Sequence, residues 1–492
     1  MIETIYLPSI ETLKQTLITL TATGDQRVVA MFPHEQFLHL FISDDKKAKI
    51  TLYMSDLSKI KSYPSLSLHL PELHLFERLL YEETGLLPEE HHDLRPVRQL
   101  HNNYFQLQSE QTHEVGVGPV HAGIIEPGHF RFQCHGEDVY HLEISLGYQH
   151  RGIEKLLLEN NFSHKLTFIE RAAGDTSIAH AWAYCSNIEQ LANIPVSPRA
   201  LTLRALMLEL ERLANHVGDL GALASDIGHL PTASFCGRIR GDYLNMSLLL
   251  CGNRFGHDFL SIGGTHFDVD HTLIDQLFHC LDPVFRDTIG ATDLLWNSST
   301  VMARFEHTGT ISQEDARRFG VVGVAAKATG LARDARTTYQ KHHTPEYASM
   351  EVATATSGDV KARAWIRKLE ISTSISMVKS MLYRLQNDHS STSASASASA
   401  SASASASASA SAFSRKISLA ANTTSVSLIE GWRGEICHVA MTDDSGKISC
   451  YRIFDPSFHN WIALELALSK QEISDFPLCN KSFNLSYCGV DL

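Results

Sequence analysis

The 492-residue sequence holds no C-x-x-C pair, no long apolar run and no excess of basic charge. Its nine cysteines, Cys134, Cys185, Cys236, Cys251, Cys280, Cys437, Cys450, Cys479 and Cys488, stand singly. That spacing leaves no paired thiolates of the kind on which soft metal centres and dithiol redox sites are built. Odd in number and scattered, they read as reduced thiols, most of them small buried hydrophobes. Asp, Glu or Lys interrupts each apolar segment before it reaches transmembrane length, and the first residues lack a signal-peptide pattern. The chain is therefore expected to be cytoplasmic, either soluble or peripheral on a membrane assembly. Its net charge of −13 argues against nucleic acid as a partner, since such binders carry a basic face.

An apolar content of 43% with 20% charged residues is ordinary for a soluble globular protein. The length allows two or three domains and a sizeable core. Histidines number 27, and only those within a recognisable frame receive a functional reading.

Along the chain, residues 1–100 read as a small α/β domain. Arg27 to Phe32, Phe37 to Ile42 and Lys49 to Met54 are strand-like, and Ile10 to Leu20 and Leu75 to Thr84 are helical in spacing. Residues 101–115 are polar and read as a linker. A mainly helical core is expected over 116–392, with peripheral strands, and its last part over 413–492. The whole is α+β. Ser197-Pro198 is a helix start, an N-cap Ser followed by Pro at the first helical position. Leu203, Leu206, Leu210, Leu213, Val217 and Leu220 then mark one apolar face. Glu209, Arg212, Asn215 and His216 lie off it, spaced E-x-x-R-x-x-N-H; a solvated face is the alternative to a functional block. Residues 393–412 alternate Ser and Ala, cannot build a core, and are expected to be a mobile solvent-facing insert without function.

Several blocks have special residues at fixed spacing. Gly118-Pro119-Val120-His121-Ala122 runs on to Glu126-Pro127-Gly128-His129, with Gly and Pro punctuating a turn between two strands. Tyr148-Gln149-His150-Arg151-Gly152-Ile153-Glu154-Lys155 precedes Glu170-Arg171-Ala172-Ala173-Gly174-Asp175-Thr176, which ends at His180. Asp226-Ile227-Gly228 closes the long helix. Lys327, Asp334 and Arg336 lead to Gly358-Asp359, Arg363, Arg367 and Glu370, and Gly431-Trp432-Arg433-Gly434-Glu435 precedes Asp455-Pro456-Ser457-Phe458-His459-Asn460.

Together these blocks resemble the large subunit shared by [NiFe] hydrogenases and complex I, in the fused form of formate-hydrogenlyase and hydrogenase-4 complexes. Phe76-Glu77-Arg78, Gly85 and His92-Asp93-Leu94-Arg95 are similar to the end of the complex I C subunit. The Glu170 to His180 stretch resembles the hydrogenase frame E-R-x-C-G-x-C-x-x-x-H. By that resemblance the four nickel ligands fall on Ala173, Thr176, Ser457 and Asn460. Ala offers nothing, and hydroxyls stay protonated where thiolates ionise. A nickel–iron centre is therefore not expected. Complex I places a Tyr next to the quinone headgroup where this chain has Gly174.

The resemblance implies an oxidoreductase subunit of complex I type with no cofactor of its own. It would take electrons from a [4Fe-4S] cluster in a small iron–sulfur partner subunit. It would pass them to a quinone or another acceptor, driving proton or ion movement with antiporter-like membrane subunits on the inner face of the membrane. His121 and His129 would work against Asp226, which pairs with the loop histidine in complex I. Glu126, His150, Arg171, Gly174, Asp175 and His180 would line the acceptor pocket. The alternatives are a non-catalytic scaffold that transmits conformational change and, last, an active nickel hydrogenase.

Overall fold

The computed structural model describes residues 2–21, 24–121, 125–158, 165–388 and 417–492. The Ser-Ala insert expected over 393–412 lies outside the described residues, as does Ala122.

The first unit is a four-stranded sheet. Glu3–Leu7 runs parallel to Lys49–Asp56, which pairs antiparallel with Phe37–Asp44, and that strand pairs with Gln26–His34. The helix Ile10–Thr21 lays Ile10, Leu13 and Leu17 into the core, the three- and four-residue steps of one helical face. His74–Thr84 forms a second helix and stops at Gly85, whose φ of 71° suits a residue without Cβ. All the short strands and both helices read from periodicity are present.

This sheet has no core of its own. Its inner residues belong to one apolar cluster with Phe130, Phe132, Phe454, Phe458 and Trp461. Phe76 lies 5.1 Å from Phe454 and 4.9 Å from Phe458, ring centre to ring centre. Arg27 reaches across to Glu435 at 2.5 Å. Spacing reads residues 1–100 as a small α/β domain; the shared core packs it against the strands and helices that follow.

Two antiparallel three-stranded sheets come next. One is His113–Val117, His129–His135 and Asp138–Ser145; the other is Thr424–Glu430, Glu435–Thr442 and Ile448–Phe454. The helix Ser177–Ala192 lies on the latter. The centre of the helical part is Pro198–Asp226, flanked by Leu230–Cys251 and Val360–Asn387, with His271–Trp296 beyond. Ser197 caps its start by accepting from the Ala200 amide at 3.2 Å.

The structure excludes the solvated alternative for that helix. Glu209 and His216 are 0% exposed and Arg212 1%, so the polar face is as buried as the leucine face. Charges survive there because neighbouring elements bring counter-charges to them.

Candidate functional site

The Glu170–His180 stretch forms a tight turn into the helix Ser177–Ala192. Ala172, Ala173 and Thr176 are buried, and Gly174 is exposed at the surface. Against this turn lies the hairpin of Gly431 to Gly434, and beyond it the start of the helix Pro456–Leu468. Gly323 makes the close approach possible: a Cβ there would sit 1.9 Å from the Arg433 carbonyl oxygen, and its φ is 62°.

Each ligand position implied by the resemblance is occupied by a side chain with its own partners, apart from the methyl of Ala173. Thr176 Oγ1 accepts from Trp432 Nε1 and Arg433 Nη1, both at 3.1 Å. Ser457 Oγ accepts from the Ser486 amide at 2.8 Å. Asn460 closes a two-point contact with the Val322 backbone, at 3.0 and 3.1 Å. Arg433 forks onto Asp175 at 2.6 and 2.7 Å, and burial of that carboxyl is outweighed by the guanidinium, which holds it below the usual carboxylate range. Cys488 sits nearby, but burial and then Glu126 push its thiol up to about 12, so it stays protonated. Among the described residues no group of three or more His, Cys, Asp or Glu side chains is arranged to hold a metal ion. These residues do not fit a nickel–iron centre.

Over this filled interior the surface is polar and open. His150, Arg171 and Gly174 are exposed. Arg151 ties the region together by donating to the carbonyls of Arg171, Ala172 and Cys488 at 2.7, 2.9 and 3.0 Å. Asp491 accepts from the Gly147 and Gln149 amides, at 2.7 and 2.9 Å, and Glu126 from the Tyr487 amide at 3.1 Å. Contacts to residues 487–491 thus link the segments that carry Glu126, His150 and Arg171, and the exposed surface of the turn at Arg171 and Gly174, with half-buried Asp175 after it, is the mouth over the filled interior.

Other expected residues fall elsewhere. His121 donates from Nε2 to the Gly128 carbonyl at 2.8 Å, and His129 from Nδ1 to the Gly118 carbonyl at 3.3 Å. Both rings brace their own loop. Asp226 is exposed at the end of its helix, and among the described residues no ion pair joins it to either histidine. Burial of its surroundings raises its carboxyl, with Lys481 opposing. His180 is fully buried and faces inward, not to the mouth. It donates from Nε2 to Asp455 at 3.2 Å and meets His438 Nε2 at 3.0 Å. His438 Nδ1 in turn lies 2.9 Å from the Tyr451 hydroxyl.

Behind the site lies a charge cluster that sequence reasoning did not assemble. Lys327 Nζ contacts Asp334, Glu370 and Glu430 at 2.6, 2.8 and 3.0 Å. Arg336 binds Asp334 and Glu209, and Arg212 binds Glu209 while donating to the Glu430 and Gly431 carbonyls. Burial works against the ionised Glu370, yet Lys327, His216 and Arg336 hold it far below the usual range. Charged residues recurring within otherwise apolar helices were the available signal. Their separation along the chain hid the convergence.

Residues 226–492 match the family described as respiratory-chain NADH dehydrogenase, 49 Kd subunit, and the chain belongs to that family. It is 27% identical over 376 residues to the carbon monoxide-induced hydrogenase of Rhodospirillum rubrum, covering 76% of this chain and 97% of that protein. Formate hydrogenlyase subunit 5 of Escherichia coli is 28% identical over 389 residues, 78% of this chain and 64% of its own length. A subunit of the NADH-quinone oxidoreductase of Campylobacter jejuni is 27% identical over 281 residues, 56% of this chain and 68% of its own length. No helix among the described residues is long and apolar enough to cross a membrane.

Proposed function

We propose that the chain is the large subunit of a membrane-associated, complex I-like oxidoreductase, and that it presents an acceptor site next to a cluster carried by another subunit. Electrons would come from an iron–sulfur cluster in a small partner subunit and pass to a quinone or another acceptor at the mouth. Antiporter-like membrane subunits would couple this transfer to proton or ion movement. The observation that carries the reading is the contrast between interior and mouth. Three of the four positions beneath, Thr176, Ser457 and Asn460, are closed by internal hydrogen bonds and the fourth, Ala173, offers only a methyl, which speaks against bound nickel. The surface above them, with His150, Arg171 and Gly174, is left exposed for a partner or an acceptor.

A second reading, a non-catalytic scaffold that transmits conformational change, is favoured by one observation. His121 spends its ring on the Gly128 carbonyl and is not paired with Asp226. Quinone turnover of the assembled complex separates the two. Asp226→Asn and His121→Ala, compared with wild type at equal assembly, should each depress turnover if the loop and the helix end serve an acceptor. Unchanged turnover in both would leave the scaffold.

A further inference from the structure

The charge cluster behind the site does not balance. Three fixed cations, Lys327, Arg212 and Arg336, face four carboxyl groups, Glu209, Asp334, Glu370 and Glu430, all at least 96% buried. A net negative charge in a solvent-poor interior is costly, so the cluster is expected to bind a proton.

Geometry narrows where that proton sits. His216 already donates from Nε2 to Glu370 at 2.7 Å, and its Nδ1 is buried without a partner. A second ring proton would point at nothing, which disfavours the imidazolium. Glu209 accepts from two arginines, Tyr347 and Ser374. Asp334 accepts from Lys327 and a two-point Arg336 contact. Glu430 has the least support: Lys327 at 3.0 Å, the longest of that ammonium's three contacts, and the Ala335 amide at 2.9 Å. Burial, then repulsion by Asp334, pushes its carboxyl up to about 7, against Lys327 and Arg336.

Glu430 also borders a route outward. It lines a small cavity of about 10 Å³ together with Asp334, Thr338 and Glu435. That is roughly the room one water needs. Asp45, Arg333 and Thr338 line both this cavity and an open cleft of about 400 Å³ between the N-terminal sheet and the helical core. Arg27, held by Asp45 and Glu435, and Arg333 are the cations facing Glu430 from this side.

We propose that Glu430 is a proton-exchange site: its carboxyl carries the cluster's extra proton and trades it with solvent through the cleft at the N-terminal sheet. On release the proton passes to water in the small cavity, and the cluster gains one negative charge around Lys327. This is a property of the chain's own charges and does not depend on an acceptor at the mouth.

The test is infrared difference spectroscopy of the full chain between acid and alkaline sides of neutrality. Burial also pushes Glu72 and Glu465 up to about 7 and Glu211 up to about 8, so the Glu430 signal is read by subtracting Glu430→Gln from wild type. The difference should contain a carboxylic acid C=O band that disappears as pH rises and shifts in deuterium oxide. Spectra that coincide would overturn the proposal. Should Glu430→Gln fail to fold, Glu430→Asp keeps the carboxyl but moves it, and a titrating band unchanged in position would overturn it equally. Thr338→Leu, at the throat, should leave the band and slow its deuterium exchange roughly tenfold. Unaltered exchange would overturn the route.

Discussion

Replacing Lys327 by Met removes the ammonium that bridges Asp334, Glu370 and Glu430 while nearly keeping the length and volume of the side chain. Lys327 is 1% exposed, so water cannot take over its role. Four buried carboxyls would then face two arginines. Removing one partner of a buried charge pair costs about 3–5 kcal/mol, and that is the loss of stability expected near pH 7. The pH dependence gives a second check. In the wild type, Asp334 and Glu370 are buried yet held below their ordinary range by Lys327 and Arg336. Their contribution to stability is present above the unfolded pKa of about 4 and is lost as pH falls through the lower folded values. In the variant, carboxyls left without the ammonium are raised above their unfolded values, so its stability falls as pH rises past about 4. The gap between the two proteins should therefore widen from about pH 5 to about pH 7. Urea unfolding at both values, followed by circular dichroism, measures it. Lys327→Arg keeps the charge and should stay within about 1 kcal/mol of wild type. A Lys327→Met loss below about 1 kcal/mol at neutral pH, without pH dependence, would refute the idea of an enclosed cluster.

Purified protein should contain no stoichiometric nickel, because Ala173, Thr176, Ser457 and Asn460 supply no thiolate; elemental analysis finding about one nickel per chain would revive the hydrogenase reading. Deleting residues 393–412 should leave assembly intact, since loop length changes closure entropy by only about 0.6 kcal/mol per doubling; loss of assembly on native gels would show that the tract makes contacts. Affinity isolation from membranes should bring down an iron–sulfur subunit and membrane subunits. A stable lone chain in extracts would count against both functional readings.

Local structure was legible in the sequence wherever a neighbour a few residues away decides it. The N-terminal strands and the Ser197-Pro198 helix start follow from alternation and capping. The motif blocks, read by resemblance, pointed to the family. Periodicity, however, reports only which face of a helix is apolar. It cannot say that the other face will be covered too. A solvated face stayed open for Glu209, Arg212 and His216 because Arg336, which pairs with Glu209, and Glu370, which pairs with His216 and Arg212, lie far along the chain and arrive only when the fold converges. The same limit hid the shared core of the N-terminal sheet and the inward turn of His180. A charge is stable in a protein interior only through groups brought to within a few ångströms of it, and for these residues only the tertiary fold brings them there.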